Sequence, residues 1–206
     1  MCMGIQVIDE LFGGAELPGI LPGTSYLFTG DPGAGKSTVA LQFADLLASI
    51  HRRSNQEAAE IAPAFADASF FESLRLEPYY AYAAGQVPAA ANFLQPLIAQ
   101  TRATRCALVH GDFSPKNILV HAGKLVLLDH EVIHWGDPAF DLGFSLAHFL
   151  SKGHHLRPLR SLFRDAAQRY WARYRTGVGE RLTEEGLEDR AVRHTLGCLL
   201  ARAASV

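Results

Sequence analysis

The stretch from Ala107 to Gly143, ALVHGDFSPKNILVHAGKLVLLDHEVIHWGDPAFDLG, constrains this chain more than any other. Within it His110, Asp112 and Asn117 stand at the spacing H-x-D-x-x-x-x-N, and an apolar run, Leu125 to Leu128, ends on Asp129. Ala107 to Val109 predicts a short strand. HGDFSPKN predicts a loop, which Pro115 keeps from becoming helix. Ile118 to Val120 is expected to pair with Leu125 to Leu128 across a tight turn at His121 to Lys124. Such a hairpin sets Asn117 and Asp129 side by side at one end of a rigid support. An amide carbonyl and a carboxylate are hard oxygen ligands of the kind magnesium takes, and a carboxylate at Asp112 suits a group that orients an attacking hydroxyl and accepts its proton. The layout is that of a phosphoryl-transfer catalytic loop.

Each of these residues also has a plainer reading. A bare His-Gly-Asp most often marks a turn; only the coupled Asn117 and Asp129 lift Asp112 above that. Asp137 sits in a Gly-Asp-Pro turn, and Asp141 is expected to cap the helix that carries Leu142 to Leu150. His110 is expected to fix the loop by hydrogen bonds. His130, Glu131 and His134 match H-E-x-x-H, a zinc-protease pattern that works only on a helix. Here it follows a strand-like run and is stopped by Gly136 and Pro138, so zinc is not expected.

HGDFSPKN, the LVLLD run and GDPAFDLG, in this order, resemble the aminoglycoside phosphotransferase and choline-kinase-like family over residues 68–206, with Phe70 to Tyr80 as a helical lead-in. The resemblance implies a mainly α-helical, protein-kinase-like C-lobe with a small β-hairpin at the catalytic loop. It implies transfer of the terminal phosphate of ATP, with Mg2+, to a hydroxyl of a small molecule. By the same resemblance Asp112 is the base, Asn117 and Asp129 are the metal ligands, Ser114 is a phosphate contact, and His110 and Asp141 support the loop. Family members also carry an N-terminal lobe that covers the nucleotide, and nothing between Ile50 and Phe70 is long enough to form one.

Where that lobe should stand there is a second nucleotide signal. Gly30 to Ser37, GDPGAGKS, fits G-x-x-x-x-G-K-[ST], with Gly30, Gly33, Gly35, Lys36, Ser37 and Thr38 as phosphate-binding candidates. Ser25 to Thr29 reads as the preceding strand. Val39, Phe43, Leu46, Leu47 and Ile50 carry helical spacing after it, which points a helix N-terminus at the phosphate. Together with its lead-in, this segment looks like the start of a RecA-like ATPase, cut short because the expected further strands do not follow. The expected organisation is thus an α/β P-loop fragment at 1–52, a linker at 53–67 and the kinase-like C-lobe at 68–206. A nucleotide-binding module without transfer activity, or an inactive fusion, is the alternative.

Toward the C-terminus two helices are expected. One carries Leu159, Leu162, Phe163, Ala166, Ala167, Tyr170, Trp171 and Tyr174 and stops at Gly177, with the aromatic cluster as core. The other, about Glu184 to Ala204, carries Leu187, Ala191, Leu196, Leu199 and Leu200. Arg157, Arg160, Arg164, Arg169, Arg173 and Arg175 read as a solvated basic face, and His154 and His155 as solvent-facing.

Composition narrows the partners. A chain of 206 residues with a net charge of -2 gives no electrostatic case for nucleic acid or an anionic membrane. Cys2, Cys106 and Cys198 are too scattered for a disulfide framework, so a cytoplasmic setting is the default. No apolar run approaches a membrane span, and the first residues carry no export signal. The faces that a missing lobe would leave uncovered predict self-association.

Overall fold

The structure, a computed structural model, describes residues 36–121, 124–183 and 186–204. Helix α1 (Lys36–Gln56) is followed by the short α2 (Ala58–Ala64). A continuous helical passage comes next: α3 (Ser69–Phe71), a π-helical stretch (Glu72–Ala81), and α4 (Tyr82–Gln86). Helix α5 (Pro88–Ala103) leads into β1 (Ala107–Val109), β2 (Ile118–His121), β3 (Lys124–Leu127) and β4 (His134–Gly136). The rest is helical: α6 (Pro138–His155), α7 (Arg160–Val178), α8 (Glu180–Thr183) and α9 (Leu187–Ala204).

Helix α6 is the centre. Its sequence, PAFDLGFSLAHFLSKGHH, is apolar nearly all round, and a helix of that kind must be buried on every side. On one side Ala139, Leu142 and Phe149 join a core with Phe43, Leu47, Phe163, Tyr170 and Tyr174 from α1 and α7. On the other side Phe140, Phe144 and Ala147 join Phe71, Leu76, Tyr80, Leu94, Leu97 and Cys198 from α3, the π-helical stretch, α5 and α9. Gly143 lets α6 and α9 approach: a Cβ there would lie 2.7 Å from the Thr195 nitrogen. The predicted stripe of α1 packs into the first core, with Phe43 and Leu47 buried and Leu46 half-buried. The segment 53–67, read as a linker, holds the end of α1 and all of α2.

Two small antiparallel sheets carry the loops. The hairpin runs as expected, each strand one residue longer into the turn, with Ile118 opposite Leu127 and His121 opposite Lys124. The second pair, β1 with β4, was not legible: Ala107 faces Gly136 and Val109 faces His134. β1 reads as a short strand, but its partner His134–Gly136 carries no strand pattern of its own. The outer edge of β1 is covered by α1, where Ser54 Oγ accepts from the Leu108 amide at 2.9 Å and Asn55 Nδ2 donates to the Cys106 carbonyl at 2.8 Å. This satisfies backbone groups that an edge strand otherwise leaves open.

Some expectations need correction. Asp141 does not cap α6; Asp137 does, its side chain accepting from the Ala139 amide. Gly177 lies within α7, which ends at Gly179, where φ is 92° and the left-handed backbone stops the helix. On α9 Leu196 is exposed, and His194, Thr195 and Gly197 take the buried face instead, because the helix is rotated toward Tyr80 and Asp137. Tyr170 and Tyr174 are core, and His154 and His155 are exposed. Residues His130 to Ile133 form a turn before β4, so the helical face that H-E-x-x-H requires is not formed.

Candidate functional site

The loop between β1 and β2 is held from three directions. From below, the buried carboxylate of Asp141 accepts the His110 amide at 2.7 Å on Oδ2 and the Gly111 amide at 2.8 Å on Oδ1. His51 Nε2 adds a third contact at 3.2 Å, and its Nδ1 lies 2.7 Å from the Tyr174 hydroxyl. Nε2 donates to the carboxylate, and the Nδ1–tyrosine bond extends a buried chain from Asp141 to α7. Burial works to raise the Asp141 carboxyl, but the hydrogen bond and charge of His51 and the neighbouring His110 outweigh it and hold the group below its usual range. A glycine is required at 111. Its φ is +77°, and a Cβ would meet Val132 Cγ2 at 2.8 Å.

From the side, His110 ties the loop to the hairpin. Its Nδ1 accepts the Asp112 amide at 3.2 Å and its Nε2 lies 3.0 Å from the Leu128 carbonyl, so the ring carries its proton on Nε2. Asn117 makes the second tie: its Nδ2 donates to the Asp112 carbonyl at 2.9 Å, and its own carbonyl accepts the Leu128 amide at 2.8 Å. Asn117 therefore stands opposite Leu128, one residue from Asp129. Asp129 is exposed and has a φ of 65°, the only non-glycine positive φ among the described residues. Such strain gathers at functional positions.

From above, Arg75 closes over the loop. It is buried in the π-helical lead-in, donates from Nε to the Gly111 carbonyl at 2.9 Å, and brings Nη2 to 3.0 Å from Asp112 Oδ2. Lys116 reaches the same Oδ2 at 2.8 Å. Both cations thus share one oxygen of a buried carboxylate. Ser114 is fully buried, with no hydrogen-bond partner for its Oγ among the described residues. Gly30, Gly33 and Gly35 lie outside the described residues, while Lys36, Ser37 and Thr38 belong to α1.

Sequence reasoning missed Arg75, Lys116 and His51. Arg75 is the single cation in the apolar lead-in FFESLRLEPYY, and Lys116 stands four residues after Asp112. His51 continues the stripe of Phe43 and Leu47 at a spacing of four, so a titratable residue falls on a buried face. Each carried a signal, but only the fold says which carboxylate it meets.

Next to α6, Asp137 holds a second buried ion pair, with Arg190 Nε at 2.9 Å. Burial again works to raise its carboxyl, and His194, Arg190 and the Ala139 amide together hold it low. This pair fastens α9 to the start of α6 and lies outside the loop.

The donor set at the loop and hairpin suits a divalent cation: a side-chain amide carbonyl and an exposed carboxylate, both oxygen ligands, brought to one end of a hairpin. The chain matches no curated protein. The model of the Phosphotransferase enzyme family (APH) matches residues 10–176, which takes in α1, both small sheets and most of α7. With the loop, the hairpin and the central helix α6 all inside that span, the chain belongs to the Phosphotransferase enzyme family, whose members act on small molecules.

Proposed function

We propose that the chain transfers the terminal phosphate of ATP to a hydroxyl of a small molecule. The observation that supports this most is Asn117, whose side chain bonds Asp112 and whose backbone bonds Leu128, so that the proposed base and the proposed metal ligands belong to one hydrogen-bonded unit. The bond from Nδ2 also fixes the amide so that its carbonyl oxygen remains for a metal. Magnesium bound at Asn117 and Asp129 would neutralise charge on the phosphate oxygens.

In this reading Asp112 orients the acceptor hydroxyl and takes its proton as the oxygen bonds to phosphorus. Arg75 and Lys116 occupy Oδ2, which leaves Oδ1 for that proton. A loose phosphoryl-transfer transition state asks for positioning of the hydroxyl more than for basicity of the carboxylate. Asp141 and His110 hold the backbone that presents Asp112.

A calorimetric titration of ATP with magnesium into the parent, Asp129→Ala and Lys36→Ala proteins tests the reading. Loss of binding in Asp129→Ala alone is expected. Loss in Lys36→Ala alone would overturn it in favour of a P-loop nucleotide module, and no binding by the parent would leave neither site in use.

A further inference from the structure

The charge around Asp112 is one-sided. Two cations share its Oδ2. Ser145 Oγ donates to the Phe113 carbonyl at 2.7 Å and so seats α6 directly against the catalytic loop. His148 follows Ser145 by one helical turn and Lys152 by another, on the same face. Arg202, near the end of α9, reaches this face too: its Nη2 is 2.6 Å from His148 Nε2, and its guanidinium lies over the Phe144 ring at 5.9 Å. Among the described residues Arg202 is thus partnered by rings, with no carboxylate ion pair. Burial, then the repulsion of Arg202, Lys116 and Lys152, pushes His148 down to about 3.

We propose that the acceptor is an alcohol bearing an anionic group, a carboxylate or a phosphate ester, held by Lys116, Lys152 and Arg202 with its hydroxyl presented to Asp112. The proposal rests on the phosphotransferase reading of the site. A polycationic amino sugar would meet like charge on the partly desolvated side of the loop, where repulsion is costly. An anion would find the planar guanidinium of Arg202 and two flexible ammonium groups, the usual means of holding a carboxylate or phosphate.

Calorimetry on the full chain with glycerol 3-phosphate, glycerol and choline as probes tests this. Glycerol 3-phosphate is expected to bind at least about tenfold tighter than either of the others. Arg202→Gln and Lys152→Gln are each expected to weaken it about tenfold, Arg202→Lys to retain most of it, and magnesium ATP to bind all three variants as it binds the parent. Choline binding as tightly as the anion, no measurable binding of the anion, or anion binding unchanged in both glutamine variants overturns the proposal. So does weakened ATP binding in those variants, since the cations would then serve the nucleotide. An anion preference that persists in a chain that binds no magnesium ATP upholds the anion site and removes the phosphotransferase reading instead.

Discussion

His51 Nε2 lies 3.2 Å from Asp141 Oδ2, a buried contact between residues ninety positions apart that joins α1 to α6 beneath the β1–β2 loop. Asp141 in turn accepts both the His110 and Gly111 amides, so the conformation of the loop is decided largely by one carboxylate. Replacing it leaves two buried amides and a histidine without their acceptor. Asp141→Ala is expected to cost about 3–5 kcal/mol, and His51→Ala about 1–3 kcal/mol. Urea denaturation measures both, and the double variant should fall short of the sum because the two residues share one network. A loss below about 0.5 kcal/mol for Asp141→Ala would show that the loop keeps its shape by other means.

Asp112→Asn is expected to lower transfer by about 10²–10⁴-fold while magnesium ATP still binds. The substitution keeps the shape of the side chain, so Arg75 and Lys116 lose a charge partner without a cavity opening. A coupled assay of ADP release with a responsive acceptor, beside calorimetry, separates the two effects. Activity retained within a fewfold would remove Asp112 from the role of base.

Asp129 holds a left-handed backbone at the hairpin end, with φ at 65°. Glycine adopts that region without the Cβ penalty. Asp129→Gly should therefore leave thermal stability unchanged or raise it by about 1 kcal/mol, yet abolish magnesium-dependent nucleotide binding. A variant that unfolds earlier than the parent and binds nucleotide normally would mean that the aspartate serves the turn and not the metal.

Stability should fall with acid well before the carboxylates protonate. His148 shifts from 6.5 to about 3 in the fold, because burial and then Arg202, Lys116 and Lys152 disfavour its charged form. The unfolded chain takes up that proton below 6.5 and the folded chain does not until about 3, so stability present at neutral pH is lost as pH falls through this window. The slope from one such group approaches about 1.4 kcal/mol per pH unit. His134, pushed down by burial, adds to it. Urea midpoints measured between about pH 7 and about pH 5 should fall in the parent and fall less in His148→Gln. Equal slopes in the two proteins would show that His148 is not held neutral.

Much of the site was legible in the residues. The H-x-D-x-x-x-x-N spacing, the apolar run into Asp129 and the expected hairpin are local features, set by strand alternation, by Pro115 and by a short turn. The helices α1, α7 and α9 were legible too, because apolar residues at intervals of three and four report a buried face whatever lies against it. The β1–β4 pairing was not, since a three-residue strand leaves too little pattern and its partner lies beyond a loop and a hairpin.

The amino-acid sequence by itself determined the helical character of the chain, the β1–β2 loop and its hairpin, because backbone preference and side-chain period act over neighbouring residues. Only the tertiary structure decided which charges meet. Arg75 and Lys116 converge on Asp112, His51 on Asp141, Arg190 on Asp137 and Arg202 on His148, and all of those partners but Lys116 come from helical segments far away in the chain. A charged or polar group can be buried only where a partner is waiting. Where that partner waits depends on how the helices pack around α6, which no local pattern contains.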